Sequence, residues 1–406
     1  MAVSELLISE RLTVLRQKLE AGNSDALDTF WQEVAEDGTP LLESIPGDST
    51  HMFVTFLWKA INPIHNVVIV GGLAGRGFDV MTRLLDTNVW YKTYRAHKDT
   101  FTLYHLTPND TLVPYDEDTD FDARVARWEA DPLNPHIDTF WGMSGGSILA
   151  LPGASLPKWC TSYDAVPTGR LEAHRLGNET LNAERDIWVY IPHDQNPTGE
   201  AYHLLILFDG WEYTNAVPTP TILDNLIADG RIPPSIAVFI GHNNRFQELS
   251  CSPSFMNVLV EEVLPWVHQN YAATKDPARI VIGGSSLGGL TAVYAGLQHP
   301  DLFGNILAMS GAFHWKPDDD EEYEWMARQF VTSPVLPLRF YISVGKLEGK
   351  APFMDDPDFL VTNRHLRNIL HAKHYSAQYS EYNSCHDYAH WRYALAEGLM
   401  ALIGKR

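Results

Sequence analysis

The stretch VIGGSSLGGL, which runs from Val281 to Leu290, decides the fold of the C-terminal half of the chain. Ser286 is the central residue of a G-x-S-x-G pattern that starts at Gly284 and ends at Gly288. An apolar run leads into the pattern and a helix-like run follows it, which is the setting of a nucleophilic serine on a sharp strand-to-helix turn. Small residues two positions before and after the serine allow the chain to bend that sharply. The stretch therefore predicts that Ser286 is a catalytic nucleophile.

The segments on either side of this turn alternate between short, almost wholly apolar runs and helical patterns. Such an alternation predicts a parallel β-sheet that is covered by helices on both faces. Together with the strand-turn-helix at Ser286, it predicts an α/β fold of the α/β-hydrolase type over residues 151–406. The predicted strands include RDIWVYIP (185–192), AYHLLILFDG (201–210), SIAVFIG (235–241), GNILAMSG (304–311) and LRFYISVG (338–345).

The N-terminal part of the chain has a different pattern. Residues 1–44 are predicted to form a short helical segment that is interrupted at Gly22. Residues 45–150 contain closely spaced β-branched and aromatic runs without helical patterns between them, which predicts an immunoglobulin-like β-sandwich domain. Residues 130–165 are rich in Pro, Gly and Ser and are predicted to be a linker. The stretch GGLAGRG (71–77) lacks the Lys-Ser/Thr pair of a phosphate loop, so we predict an ordinary turn there.

Composition excludes several classes of protein. The chain has 406 residues and a formal net charge of −21, which argues against nucleic-acid or anionic membrane partners. Its three cysteines are too few and too scattered for a disulfide framework or a zinc ribbon. The first residues, MAVSELLISERL, lack a basic region followed by an apolar one, so we expect no signal peptide and a cytoplasmic location.

A serine nucleophile needs a histidine base, which follows the serine and the acid along the chain in this fold. Among the later histidines, His386 is the one that comes after a strand through a short loop and before a final helix. We therefore predict that His386 is the general base. His386 and His390 also have the i, i+4 spacing of metal ligands, but no third ligand is indicated nearby, so neither a metal nor a cofactor is expected.

The acid that orients the histidine is expected at the end of a strand. Glu348 follows the strand LRFYISVG and is the first choice. The nearby MDDPD stretch leaves alternatives open, chiefly Asp355 and also Asp356 and Asp358.

An oxyanion hole needs two backbone N–H groups, one of them from the residue after the nucleophile. That residue is Leu287, and the second N–H is predicted to belong to Trp211 or Gly210, which follow the strand LLILF. Arg245 follows another strand at the same end of the sheet. It is predicted either to contact the substrate or to form an ion pair with Glu248.

The chain resembles the iron–enterobactin (enterochelin) esterases of the esterase D superfamily, and the resemblance includes the N-terminal sandwich. The stretches that carry it are DPLNP (131–135), RDIWVYIP (185–192), LLILFDGWEY (204–213), RFQELSC (245–251), GGSSLGGL (283–290), ISVGKLEG (342–349) and CHDYAHWR (385–392). In the family, the two residues before the histidine are usually both glycine, whereas this chain has Ser384 and Cys385 before His386. Its elbow reads Gly-Ser-Ser-Leu where Gly-Gln-Ser-Phe is expected.

The resemblance implies an enzyme that hydrolyses the trilactone of a catecholate siderophore, releases dihydroxybenzoyl-serine units and frees iron inside the cell. The family's serine, acid and histidine correspond to Ser286, Glu348 and His386. A ferric tris-catecholate is large and anionic, and it requires cationic donors and aromatic walls. Arg245, Trp211 and Trp315 are the substrate-binding candidates, although packing is an equally good role for the two tryptophans, and Arg392 is expected to be structural.

Two other functions are compatible with the sequence. One is a feruloyl or acetyl esterase of the same superfamily with a carbohydrate-binding sandwich, although such enzymes are usually exported. The other is a non-catalytic binder of a siderophore or of a partner protein, which the apparent Ser-Glu-His set argues against. The expected partner is a small-molecule substrate, and a homodimer is compatible with the sequence.

Overall fold

The computed structural model describes residues 9–115, 117–138, 146–155, 158–178, 183–193, 199–349 and 358–404. These residues divide into two compact units. Unit 1 contains the described residues up to 155 together with the short segment Asn383–Asp387, which we call the histidine segment. Unit 2 contains the other described residues from 158 onward.

Unit 1 begins with two helices, α1 (Glu10–Glu20) and α2 (Ala26–Asp37). The hydroxyl of Ser9 accepts a hydrogen bond from the N–H of Leu12 and so caps the first helix. Gly22 has φ +80° and separates the helices, as predicted. Apolar side chains from both helices, including Leu12, Phe30 and Val34, form one buried cluster with strand residues of the same unit.

The strands of unit 1 form two antiparallel sheets in the described part of the chain. Alternate residues of β2 and β7, such as Phe56 and Tyr104, face a common buried core, which is the pattern of a β-sandwich. The first sheet has the order β1-β2-β6-β5, with β1 (Leu41–Ser44), β2 (His51–Lys59), β5 (Thr82–Arg83) and β6 (Val89–His97). The second has the order β4-β3-β7-β9-β8, with β3 (Val67–Gly71), β4 (Phe78–Val80), β7 (Phe101–Pro108), β8 (Ile137–Asp138) and β9 (Gly146–Ala150).

The predicted linker 130–165 is partly wrong, because β8 and β9 lie within it and β9 pairs with β7. The DPLNP stretch precedes these strands and serves the packing of unit 1. Asp131 is fully buried and accepts hydrogen bonds from the hydroxyls of Thr39 and Tyr104 (both 2.8 Å). Burial raises the pKa of Asp131 above its ordinary value. A short helix, α3 (Phe121–Val125), lies between β7 and β8.

Unit 2 has an eight-stranded sheet among its described residues, in the order β10-β11-β13-β12-β14-β15-β16-β17. The neighbours from β13 to β17 are parallel, whereas β10 and β11 are antiparallel additions at one edge. The strands are β10 (Arg170–Asn178), β11 (Ala183–Ile191), β12 (His203–Phe208), β13 (Ser235–Ile240), β14 (Ile280–Ser285), β15 (Asn305–Met309), β16 (Arg339–Gly345) and β17 (Ser376–Tyr382).

Helices cover both faces of this sheet, because successive strand residues point to opposite sides. On β12, Ile206 faces one core with α7 to α11, and Leu207 faces a second core with α4, α5 and α12. The helices are α4 (Gly210–Asn215), α5 (Thr219–Ala228), α6 (Arg245–Leu249), α7 (Pro253–Asn257), α8 (Leu264–Asn270), α9 (Leu287–Gln298), α10 (Trp325–Thr332), α11 (Phe359–Ala372) and α12 (Tyr388–Ile403), with a π-helical turn at Val258–Val263 between α7 and α8.

The compact units differ from the predicted domain boundaries at one functionally important place. The histidine segment lies between β17 and α12 in the chain, within the predicted domain 151–406, yet it clusters with unit 1. Long-range hydrogen bonds to β7, described below, account for this position.

Candidate active site

The G-x-S-x-G stretch forms the predicted turn between β14 and α9, which we call the elbow (Gly284–Gly288). Ser286 has φ 57° and ψ −121°, a positive-φ conformation that costs a non-glycine residue about 1–3 kcal/mol. A Cβ atom on Gly284 would lie 2.8 Å from the carbonyl carbon of Gly288, so the bend requires glycine there. The N–H of Ser286 donates to the carbonyl oxygen of Met309 on β15 (2.9 Å). The neighbouring strand therefore holds the serine in its strained conformation.

The predicted acid, Glu348, lies just after β16 in a buried polar cluster. Its side chain is fully buried, and its Oε1 atom accepts hydrogen bonds from the hydroxyl of Ser310 (2.5 Å) and the N–H of Gly345 (2.7 Å). The indole N–H of Trp391 donates to the Ser310 oxygen (3.0 Å), and Nε2 of His390 lies 3.9 Å from Glu348 Oε1. Because a buried carboxylate requires such donors, the cluster keeps Glu348 in one orientation. The alternative acids Asp355 and Asp356 lie outside the described residues.

Asp358, the remaining alternative acid, caps α11, where its carboxylate accepts a hydrogen bond from the N–H of Val361 (3.1 Å). This is a helix-capping contact of the usual kind.

His386 belongs to the histidine segment, which is bonded to β7 of unit 1. The carboxylate of Asp387 accepts hydrogen bonds from the hydroxyl of Thr102 (2.5 Å) and the N–H of Leu103 (3.1 Å). The N–H of Cys385 donates to the same Thr102 oxygen (3.3 Å). Asp387 and Cys385 are buried, and His386 between them is half-buried. Its function as the base of Ser286 stays a prediction.

The predicted oxyanion residues belong to two turns at the same edge of the unit 2 sheet. Leu287 is the first residue of α9, and Trp211 is the second residue of α4. The turn before α4 is tight, because Asp209 is left-handed (φ 56°) and a Cβ atom on Gly210 would lie 2.8 Å from the backbone of β13. The carboxylate of Asp209 lies 3.3 Å from where a Cβ atom on Gly288 would be. The two turns are therefore adjacent, as an oxyanion hole requires.

Arg245 forms a bidentate ion pair with the buried carboxylate of Asp209, with N–O distances of 2.7 and 2.8 Å. The predicted alternative, an ion pair of Arg245 with Glu248, is wrong. Glu248 is bound by the buried guanidinium of Arg185 instead, with two N–O distances of 2.8 Å. The sequence did not indicate this, because Arg185 is 63 residues from its partner. Burial by itself lowers the pKa of Arg245, but the hydrogen bonds that its guanidinium donates to Asp209 raise the pKa above its ordinary value.

His242 lies beside the same carboxylates. Its Nε2 atom is 3.6 Å from Asp209 and 3.7 Å from Glu212, and the contact with Glu212 raises the pKa of His242. These three residues are the one group of possible metal ligands that the described part of the chain brings within 4.8 Å. Because the guanidinium of Arg245 already binds both oxygens of Asp209, this position is taken by a cation that belongs to the chain.

The other residues considered for substrate binding are either packed against neighbouring groups or exposed to solvent. Trp315 packs edge-on against Trp325, with ring centroids 5.7 Å apart, as the packing alternative predicted. The side chain of Trp211 is 49% exposed. Arg392 donates twice to the carbonyl oxygen of Ala216 (3.0 and 2.7 Å), which is the predicted structural function. Substrate contacts by Arg245, Trp211 and Trp315 stay predictions.

Sequence reasoning missed Asp209 as the partner of Arg245 and missed the buried residues around Glu348. The signal for Asp209 was present, because it directly follows an apolar strand in the quoted stretch LLILFDGWEY. No comparable signal marked Ser310, which lies 38 residues from Glu348 in the chain.

Comparison with known proteins agrees with this geometry. The model of the family described as "Putative esterase" matches residues 178–402, and that of "Enterochelin esterase, N-terminal" matches residues 53–160. The chain therefore belongs to the putative esterase family, and it carries the N-terminal domain of the enterochelin esterase kind.

Relatives of similar length match almost the whole chain. The iron(III) enterobactin esterase of Dickeya dadantii is 28% identical and the alignment covers 93% of both proteins. The iron(III) salmochelin esterase of Escherichia coli O6:H1 is 27% identical, with 96% of this chain and 97% of the relative covered. A similar solved structure is the crystal structure of the enterobactin esterase of Shigella flexneri in the presence of enterobactin. The two sequences are 25% identical, and the two structures have a TM-score of 0.73, with 92% of this chain and 97% of the Shigella chain covered.

These findings confirm the predicted class of protein. The chain is an ester hydrolase with an α/β-hydrolase region and a separate N-terminal domain. Within the described residues, we find no helix with the length and apolar character needed to cross a membrane.

Proposed function

We propose that this chain is a serine esterase that hydrolyses the trilactone ester bonds of a catecholate siderophore such as ferric enterobactin. The observation that carries the proposal is the conformation of Ser286, a positive-φ serine between a parallel strand and a helix. Relatives named for iron(III) enterobactin and iron(III) salmochelin cover nearly the full chain and supply the substrate class.

In the proposed reaction, the hydroxyl oxygen of Ser286 attacks the ester carbonyl carbon. His386 takes the hydroxyl proton as the new carbon–oxygen bond forms. The carbon–oxygen bond to the substrate's serine side chain then breaks, and His386 returns the proton to the leaving alkoxide. Water, activated by the same imidazole, hydrolyses the acyl-enzyme and restores the free hydroxyl.

Glu348 orients the imidazole of His386 in this scheme. The contacts of Glu348 with Ser310 and Gly345 support the assignment, because a carboxylate that is held rigidly can direct a histidine tautomer. His390 lies within the same cluster and places a second imidazole near the carboxylate, with its Nε2 atom 3.9 Å from Oε1 of Glu348.

The N–H groups of Leu287 and Trp211 stabilise the oxyanion in this scheme. The ion pair of Arg245 with Asp209 supports it by holding the left-handed turn that precedes Trp211. We therefore give Arg245 a positioning function ahead of the predicted contact with the siderophore. A charge that is already neutralised by Asp209 attracts an anionic substrate only weakly.

We infer that the reaction takes place in a reducing compartment, in agreement with the cytoplasm expected from the sequence. The chain has three cysteines, at positions 160, 251 and 385, which are too few and too scattered in the sequence for a disulfide framework. Proteins of oxidising compartments more often use their cysteines in disulfides.

Incubation of the protein with ferric and iron-free enterobactin, followed by mass spectrometry of the products, tests the proposed function. We expect linear and monomeric dihydroxybenzoyl-serine products. The Ser286→Ala variant is expected to lose about 10⁴-fold or more in kcat. Ser285→Ala removes the neighbouring, buried hydroxyl and is the matched control, with kcat expected within about tenfold of the original protein. Equal breakdown by the Ser286→Ala protein would exclude the nucleophile assignment.

Two further measurements separate the competing functions. Turnover of methyl ferulate without turnover of enterobactin would identify a feruloyl esterase. A fluorophosphonate probe labels an activated serine covalently, so absence of labelling in the folded protein would identify a non-catalytic binder.

A further inference from the structure

Unit 1 contains a cavity that neither the sandwich core nor the proposed mechanism explains. Its volume is about 200 Å³, and we call it the loop pocket. The Gly-rich stretch Gly71–Gly77 forms one wall, and His105, Tyr115 and Trp128 form the others. His386 lines the same pocket. The predicted general base is therefore a wall residue of a cavity within its own unit.

The glycines explain why this cavity exists. Gly71, Gly72 and Gly75 all have positive φ, between 55° and 73°, so the loop leaves β3 in a conformation that other residues rarely adopt. A Cβ atom on Gly72 would lie 3.0 Å from the Cβ atom of Tyr104, so the loop packs closely on β7. A wall of glycines carries few side chains to fill the space beside it. The sequence predicted a turn here, and the turn also forms one wall of a cavity.

The aromatic walls are held in place before any ligand enters. The rings of His105 and Trp128 are 5.6 Å apart, and those of Tyr115 and Trp128 are 6.5 Å apart. The guanidinium of Arg124 lies 4.8 Å from the centre of the Tyr115 ring and is itself bound by the buried carboxylate of Asp110 (2.5 and 2.9 Å). Rigid aromatic walls bind flat rings at a low cost in conformational entropy.

The polar groups of the loop pocket fit a hydroxylated ring. The hydroxyl of Tyr115 is buried and has no hydrogen-bond partner among the described residues. Leaving such a group unpaired costs about 1–3 kcal/mol, and a ligand hydroxyl would recover this cost. Burial lowers the pKa of His105 to about 4, so its ring is neutral at neutral pH. Arg76, on the glycine loop, places a cation at the same cavity.

The size of the loop pocket limits the ligand to one ring. A cavity of about 150 Å³ holds a benzene molecule, so 200 Å³ has room for a ring with a few polar substituents. Three catechol rings around an iron ion do not fit in this volume. Of the siderophore, only one arm or a monomeric product is small enough for this volume.

We propose that the loop pocket binds one dihydroxybenzoyl ring of the siderophore, with its hydroxyl groups at Tyr115 and Arg76 and its acyl side toward His386. This proposal rests on the proposed function, because it assigns a position to part of the same substrate. It gives the N-terminal domain a direct part in substrate recognition.

Calorimetric titration of the full-length protein with monomeric 2,3-dihydroxybenzoyl-serine tests the loop pocket, since this product contains no ester between monomers and is not consumed. We expect Tyr115→Phe to weaken binding about fivefold and Arg76→Gln about tenfold. The matched controls, Tyr163→Phe and Arg127→Gln, remove the same groups from exposed positions and are expected to bind as the original protein does. Thermal unfolding of each variant shows whether it is folded.

Kinetics give a second measurement. Tyr115→Phe and Arg76→Gln are expected to raise KM for enterobactin at least about five times more than KM for p-nitrophenyl butyrate, which has no catechol ring. If monomer binding and the KM ratios are unchanged in both variants, the loop pocket does not bind the ring, and the proposal is overturned even if Ser286→Ala abolishes turnover. Cleavage of enterobactin that is independent of Ser286 would instead overturn the proposed function.

Discussion

The elbow and the histidine segment are both short turns next to buried strands, but they are stabilised in different ways. Glycines and a backbone hydrogen bond to the adjacent strand β15 hold Ser286. In contrast, a side-chain hydroxyl that is more than 280 residues away in the chain holds the segment around His386. The elbow is thus encoded mainly by its own residues, and the histidine segment depends on a distant strand. Mutations can test this difference.

The largest effect is expected from Gly284→Val, which places side-chain atoms against the backbone at Gly288. The turn must then open, and displacement of a nucleophile by about 1 Å costs about 10²-fold in rate or more. We also expect the free energy of unfolding to fall by about 1–3 kcal/mol. Steady-state kinetics and chemical denaturation measure the two effects.

Gly177→Ala is the control for this variant, because a Cβ atom on Gly177 would meet nothing within 4 Å. Normal activity of the Gly284→Val protein would show that the elbow is less constrained than its geometry indicates.

A smaller effect is expected from Thr102→Val, which removes the hydroxyl that binds both Asp387 and the N–H of Cys385. The buried carboxylate then loses one of its donors, and the histidine segment keeps its bonds to the backbone of β7, such as that from the N–H of Leu103. We expect kcat to fall about tenfold and the free energy of unfolding to fall by about 1–3 kcal/mol.

Thr55→Val provides a matched control in the other sheet of unit 1, where a buried threonine hydroxyl bonds to Thr93 (2.9 Å). Its stability should fall similarly while kcat stays unchanged. If both variants lower kcat equally, the attachment of the histidine segment has no specific function in catalysis.

Arg245→Lys tests the turn that precedes Trp211, because lysine cannot form the bidentate contact with Asp209. We expect kcat to fall about fivefold, since hydrogen bonds to charged groups contribute about 1.5–3 kcal/mol and part of the contact remains. The surface pair of Arg364 with Glu381 is also bidentate (2.7 and 2.7 Å), so Arg364→Lys is the control. An effect on KM with kcat unchanged would favour the originally predicted substrate contact.

The smallest expected effect is a pH dependence of stability that arises from His242. Its pKa is raised in the folded protein by the contact with Glu212, above an unfolded value of 6.5. The protonated form is therefore stabilised by folding, and this contribution is present below pH 6.5 and is lost as the pH rises through the folded pKa. We expect the His242→Phe protein to show a smaller decrease in Tm between pH 5.5 and pH 8.5 than the original protein. An identical decrease in both proteins would contradict this assignment.

Features of this chain that depend on short-range interactions could be predicted from its sequence, and those that depend on long-range contacts could not. Strands, helices and the elbow were predicted well, because they depend on local apolar patterns and on glycine at Gly284 and Gly288. The ion pairs were not predicted correctly. Arg245 and Glu248 are three residues apart in the chain, yet Arg245 binds Asp209 and Glu248 binds Arg185. Charge pairing depends on which side chains share a buried space, and neighbours in sequence need not share one.

By itself, the sequence determined the class of fold, the strained serine and the succession of candidate catalytic residues, because these arise from short-range backbone preferences and apolar periodicity. The tertiary structure alone decided that the histidine segment belongs with the sandwich and that a glycine turn forms the wall of a cavity. It also decided that Glu348 lies among Ser310, His390 and Trp391. Burial removes polar groups from water and makes them pair with whichever distant groups the packing brings within reach, which no local pattern specifies.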